Sequence, residues 1–154
     1  MEVHCTEEFK TEFEKICKNK KYPDCEKHFI DYFFGGGNYA KAATGQRIFG
    51  HISFPLFKKR IPDSGGYRYY FFPIKEKECI LLGLVYPKTG NLGSDNIENE
   101  TKRLLLDQAI NSLKSKSYYH IRLDKNGNLT FITIEELKGE QELAVNKKVN
   151  KHNF

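Results

Sequence analysis

Two dense apolar runs, Tyr67–Ile74 and Cys79–Tyr86, are separated by the short polar link Lys75-Glu76-Lys77. Runs this rich in aromatic and branched residues read as strands, and so short a link joins them as an antiparallel hairpin. The second run, Cys79-Ile80-Leu81-Leu82-Gly83-Leu84-Val85, is almost continuously apolar. A strand with one wet face alternates polar with apolar residues, so this run suits a central strand covered on both faces. Pro87 ends it. At 154 residues the chain is long enough for one domain with a sizeable core.

The flanking pattern mixes helices with further strands, an α+β composition. Glu2 to Cys5 reads as a short strand. Thr6 is placed to cap a helix, with Glu7 and Glu8 in the first turn, where the helix dipole favours acids. Phe9, Phe13, Ile16 and Cys17 share one helical face, and Lys18 to Lys21 close that helix with positive charge. A second helix starts near Pro23-Asp24, carries Cys25, His28, Phe29, Tyr32 and Phe33 on one face, and stops at Gly35-Gly36-Gly37. The stretch 38–46 allows a short helical turn, and Arg47 to Phe57 a strand. Asp95 and Glu98 have capping-box spacing ahead of a helix reaching about Lys116, whose apolar face includes Ile97, Leu104, Leu105, Ala109, Ile110 and Leu113. Tyr118–Leu123 and Leu129–Ile134 flank Asn126-Gly127, a second hairpin signal. Residues 1–134 thus form one domain. Residues 135–154, where four acids balance four lysines, read as a polar tail able to fray or to order on a partner.

Charge is distributed unevenly. The chain carries 25 Lys+Arg against 20 Asp+Glu, a net of +5. Between Gly45 and Lys75 stand Arg47, Lys58, Lys59, Arg60, Arg68 and Lys75, with Asp63 as the only acid, so this segment holds the whole excess. Arg68 is the second residue of a strand that enters the core. Either it snorkels to water as a strand-end charge, or it belongs to a site where several cations meet a polyanion. Phe49, Phe54, Phe57, Tyr67, Tyr69 and Tyr70 are interleaved with these cations. That mixture suits RNA, whose bases stack and whose phosphates pair with cations, although most of these rings are needed to build a core.

The four cysteines, Cys5, Cys17, Cys25 and Cys79, form no CxxC pair and have no metal-ligand spacing with the five histidines. Buried thiols in a reducing cytoplasm are the expectation, with no metal and no cofactor. The N-terminus lacks a signal-like apolar stretch, and no run reaches membrane-spanning length, so neither secretion nor a membrane partner is expected.

The order of elements and one local motif resemble the RelE/HigB group of the RelE/ParE superfamily of toxin–antitoxin proteins. Lys58-Lys59-Arg60-Ile61-Pro62 followed by Ser64-Gly65-Gly66-Tyr67-Arg68 is similar to the family's basic strand and SGGYR turn. Leu81 to Lys88 (LLGLVYPK) resembles its later apolar strand ending in a lysine, and Asn96-Ile97 with the next helix resembles the following element. The likeness spans roughly residues 1–115, and the motif region carries nearly all of it. It implies a curved antiparallel sheet with the N-terminal helices packed on one side, here with a C-terminal helix and a hairpin extension. It also implies a ribosome-dependent mRNA endoribonuclease and a cognate antitoxin, acidic or of helix-turn-helix type, that neutralises it. Carried over residue by residue, Arg68 would contact the scissile phosphate, Lys58, Lys59 and Arg60 fall on the basic strand, and Lys88 matches the cation after the apolar strand. Taken with the charge pattern, the expected catalytic cations are Arg68, Lys59 and Lys88, and the expected RNA-binding residues are Arg47, Lys58, Arg60 and Tyr67. Strand register, which the sequence leaves open, decides which of Lys58, Lys59 and Arg60 points into the site.

The chemistry stands independently of the likeness. RNA supplies its own nucleophile, the 2′-hydroxyl. A protein accelerates self-cleavage by orienting that group, neutralising the phosphorane and helping the 5′-oxygen leave, none of which requires a metal. Where several relatives carry a tyrosine or histidine, this chain has Gly93-Ser94-Asp95-Asn96-Ile97, so the likeness supplies no general base and His51 is the substitute candidate. Two other readings use the same residues: a non-catalytic RNA- or protein-binding module, including a ParE-like gyrase inhibitor, and an ordinary α+β interaction domain.

Overall fold

The computed structural model describes residues 1–36, 38–51, 53–61, 66–87 and 97–152, with side chains as far as residue 149. It is a mixed α+β fold around one seven-stranded sheet. The strands are β1 (Glu2–Cys5), β2 (Gln46–His51), β3 (Phe54–Ile61), β4 (Tyr67–Ile74), β5 (Cys79–Pro87), β6 (Tyr119–Leu123) and β7 (Leu129–Thr133). The helices are α1 (Glu7–Lys18), α2 (Cys25–Phe34), α3 (Tyr39–Ala42), α4 (Asn99–Ser115) and α5 (Ile134–His152). The spatial order is β2-β3-β4-β5-β1-β6-β7. Every neighbouring pair is antiparallel except β1 with β5.

The expected central hairpin is β4–β5, turned by a 3-10 segment at Lys75–Lys77 with Glu78 in the left-handed region. β5 is buried from Cys79 to Val85 and lies between β4 and β1. A register shift at Tyr70/Phe71 makes Gly83 an extra residue of β5. Leu82 and Val85 therefore face one side, and Leu81 and Leu84 the other.

α1 and α2 cover the first face. Thr6 caps α1, its hydroxyl accepting from the Phe9 N–H at 3.2 Å. Phe9, Phe13, Phe29 and Phe33 pack there on Tyr69 and Phe71. The Phe13 and Phe29 rings lie 4.9 Å apart. Each such side chain contributes about 1.5–3 kcal/mol by leaving water. α4 covers the second face, where Leu105 and Ala109 meet Leu81, Leu84, Tyr70 and Phe72. α4 begins at Asn99 with Glu98 at its cap position and no side-chain cap bond, so the Asp95–Glu98 box does not start it, and Asp95 itself lies outside the described residues.

Three expectations change. The sheet contains one parallel pair, because the chain leaves β1 and returns to β5 only after crossing α1, α2 and three strands. The 118–134 hairpin is built into the sheet through Val3↔Ile121 rather than appended to it, and it buries Ile121 in the main core. Its turn is a five-residue loop: Asp124 Oδ1 accepts from the N–H groups of Asn126 (2.8 Å) and Asn128 (2.9 Å), and Gly127 takes φ +80°. The polar stretch beyond residue 134 is helical, α5, and Arg122 holds it through two bonds to the Glu140 carboxylate, 2.9 and 2.7 Å. Among the described residues no helix is long and apolar enough to cross a membrane.

Candidate polyanion-binding face

Alternation along β3 and β4 sorts the cations. Lys58 pairs with Tyr70, Lys59 with Tyr69, Arg60 with Arg68, and Ile61 with Tyr67. Directly paired residues share a face, so Lys58, Arg60 and Arg68 lie on the face that α4 partly covers. Gly66 takes a left-handed backbone (φ +65°) just before β4. The chain thereby enters the strand with Tyr67 turned into the helical core and Arg68 onto the opposite face.

Arg68 is only 5% exposed, whereas Arg60 opposite it is exposed. Arg60 and Arg68 are directly paired across β3–β4, so two cationic side chains start from neighbouring positions on one face. Tyr86 is the next residue in the row, paired with Arg68 across β4–β5. Burial, followed by the charge of Glu12, raises its pKa above the ordinary phenol value. Arginines suit phosphate oxygens because the planar fork donates two parallel hydrogen bonds.

The structure does not bring every predicted site residue here. Lys59 is on the opposite face. Its Nζ donates to the carbonyls of Lys41 (2.8 Å) and Ala42 (3.4 Å) and to Thr44 Oγ1 (2.7 Å), and it lies 4.9 Å over the Tyr32 ring. These are the last carbonyls of α3, and Lys41 O also accepts from the Thr44 hydroxyl at 2.7 Å. Burial, then the charge of Lys41, brings its pKa down to about 8, so it remains largely a cationic donor at neutral pH. Lys59 is therefore an anchor for α3 and does not stand beside Arg68.

Tyr67 is also displaced from its expected role. It is buried against the rings of Tyr22 and His28, at 6.1 and 6.3 Å, and its phenol pKa is raised by burial first and by Cys25 next. No RNA base can stack on it there. Arg47 pairs with Phe57 and so falls on the α1/α2 face, where its Nη2 donates to the Gly50 carbonyl at 2.9 Å. His51 pairs with Phe54 and contacts Ser53 Oγ at 3.2 Å. Phe54 lies six residues along β3 from Arg60, about 20 Å at the usual strand rise, so His51 cannot act at Arg68. Lys88 and the Ser64-Gly65 part of the motif lie outside the described residues.

Sequence reasoning missed a second feature beside this face. β1 stops at Cys5, opposite Leu82, and the Thr6 N–H donates to the Leu82 carbonyl at 3.0 Å. β5 runs on to Pro87, and α1 begins alongside it. α1, α4 and the end of β5 enclose a cleft of about 410 Å³. Its signal was present in the sequence as Glu7, Glu8, Thr11 and Glu12, a polar stripe opposite the apolar stripe of α1, but only the β1–β5 pairing shows what that stripe faces. No family model matches this chain, and no curated protein matches it.

Proposed function

We propose that this protein is a small cytoplasmic RNA-cleaving toxin of the RelE/HigB kind, acting on mRNA at the ribosome and neutralised by a cognate antitoxin. The observation that carries the proposal is the row Arg60–Arg68, with Lys58 one step behind, on a single sheet face. Arg68 is the residue that the SGGYR likeness assigns to the scissile phosphate. In this reading its guanidinium and that of Arg60 grip two non-bridging oxygens, and Lys58 holds a neighbouring phosphate.

Cleavage then proceeds by attack of the 2′-oxygen on the adjacent phosphorus. The P–O5′ bond breaks, a 2′,3′-cyclic phosphate forms, and the 5′-oxygen leaves with a proton. Charge builds on the phosphoryl oxygens in the transition state, where preorganised cations act most strongly. Lys88 stays in the proposal on its match to the lysine after the apolar strand. Lys59, Tyr67 and Arg47 do not, because their side chains serve the opposite face. An antitoxin that lays an acidic segment over Lys58, Arg60 and Arg68 would block the same surface.

The test is RNA cleavage by the purified protein with translating ribosomes, run beside RNA alone and beside Arg68→Ala. Cleavage by wild type and its loss in a folded Arg68→Ala protein support the proposal. Binding without cleavage would make the protein a non-catalytic module, and cleavage retained by Arg68→Ala would remove Arg68 from the chemistry.

A further inference from the structure

We infer that His4 and His120 form an acid-sensitive joint at which β6, β7 and α5 come away from the rest of the sheet, whatever the basic face binds. The order β5-β1-β6-β7 leaves β1 as the strand through which β6 and β7 join the main sheet. That seam is three residue pairs long: Val3↔Ile121, His4↔His120 and Cys5↔Tyr119. The histidines are its middle pair, so charge gained there falls at the centre of the joint.

The joint is built for neutral rings. The two imidazoles lie 5.1 Å apart, and Tyr118 meets His4 edge-on at 5.2 Å. Their other partners in the sheet are apolar: Leu81 of β5 stands opposite His4, and Ile132 of β7 opposite His120. The Nδ1 atoms of both rings are shielded from solvent and have no hydrogen-bond partner among the described residues. A neutral ring can leave a bare acceptor nitrogen there. A protonated ring carries N–H on both nitrogens, and a buried donor with no acceptor is costly.

Few charged groups face the pair. Glu2 Oε2 lies 3.2 Å from His4 Nε2 and, with the Tyr119 backbone, favours a proton on that ring. Arg122 of β6 opposes a proton on His120, while Glu2 and Glu140 of α5 favour one. Glu140 is already engaged by both guanidinium nitrogens of Arg122. The Cys79 thiol of β5 and the Tyr118 phenol are both pushed up, by burial first, and stay neutral. Burial outweighs the carboxylates and holds both rings below the usual histidine value.

A first proton is met by Glu2, but a second sets like charges on directly opposed residues. Opening the seam relieves this. β1 stays behind, because it keeps four parallel pairs with β5 and the Thr6 N–H bond to the Leu82 carbonyl. At neutral pH the Tyr119 hydroxyl bond to Glu7 and the burial of Ile121 hold the joint shut. The open rings take up protons that the closed joint refuses. The open fraction therefore rises as pH falls below about 6.5, by up to about tenfold per pH unit for each proton.

The experiment is hydrogen–deuterium exchange at pH 7.5 and 5.5, corrected for the intrinsic exchange rate, on wild type, His120→Gln and His4→Phe/His120→Phe. In wild type the β6 and β7 amides should be at least about tenfold less protected than those of β4 and β5 at both pH values. Their protection should fall about tenfold or more on acidification, while the β2 amides, at the far edge of the sheet, hold within about twofold. His120→Gln should roughly halve that fall on a logarithmic scale, and the double variant should bring it within about twofold. Imidazole titration of the wild type by NMR gives a reading that needs no variant: both rings should titrate below the free-histidine value. Equal protection of β6–β7 and β4–β5 would mean that the seam opens only when the whole domain unfolds, and overturns the joint. So does an acid-induced fall that survives the double substitution or that β2 shares, or a ring that titrates at or above about 6.5.

Discussion

Replacing Lys59 separates structural from functional cations most sharply, because its neighbours in sequence, Lys58 and Arg60, face the other way. Its ammonium satisfies Lys41 O, Ala42 O and Thr44 Oγ1 together, and Thr44 in turn donates to Lys41 O at 2.7 Å. A hydrogen bond to a charged group contributes about 1.5–3 kcal/mol, but here one donor serves three acceptors that water can partly reach. A net loss of about 2 kcal/mol for Lys59→Ala follows. In a domain of this size each kcal/mol moves the melting temperature by roughly 2–4 °C, so Tm should fall by about 4–8 °C. Lys59→Met, which keeps most of the alkyl stem but has no donor, should recover only a small part. Thermal melting by circular dichroism reads both. If Lys59→Ala melted within about 1 °C of wild type, the anchoring role would be wrong.

Three further outcomes follow from the geometry. His4 and His120 are direct partners across β1–β6, with rings 5.1 Å apart, and burial holds both below the usual histidine pKa despite the offsetting charge of Glu2. The unfolded chain takes up protons that the folded chain refuses, so stability should decline as pH drops below about 6.5, and a His4→Phe/His120→Phe variant should flatten that decline in urea titrations. Ending the chain at Ser117 removes β6 and β7 and uncovers Val3 and Cys5, so the truncated protein should lose its cooperative melt, where a mere appendage could be removed harmlessly. Phe29→Ala, in the middle of the aromatic cluster, should cost about 3–5 kcal/mol in denaturant midpoint analysis, and a loss under about 1 kcal/mol would contradict the packing described.

The local elements were legible because their signals are local. Thr6 caps α1, the Cys25-to-Phe33 spacing makes one buried face, and the apolar run from Cys79 lies at the sheet centre. What the sequence did not show depends on long-range pairing. Nothing near Glu2–Cys5 says that this strand joins β5 in parallel and β6 on its other side, yet that choice makes the cleft and absorbs the second hairpin. Strand register was the deciding unknown for the basic cluster: a slip by one residue would have exchanged Lys59 for Lys58 and Arg60. Pairing Arg60 with Arg68 across β3–β4 fixes that register. Tyr67 looked like a stacking platform because aromatics beside cations suit RNA, but alternation sends it into the core.

The central claim, that RNA lies along Lys58, Arg60 and Arg68, is tested most directly by the salt dependence of single-stranded RNA binding. Each phosphate neutralised contributes a slope of about −0.7 in log affinity against log salt concentration. Three cations on one face predict a wild-type slope near −2, a reduction of about 0.7 on Arg60→Ala or Arg68→Ala, and an unchanged slope on Lys59→Ala. A slope that ignores Arg60 and Arg68, or that falls equally with Lys59, would contradict the assignment of this face.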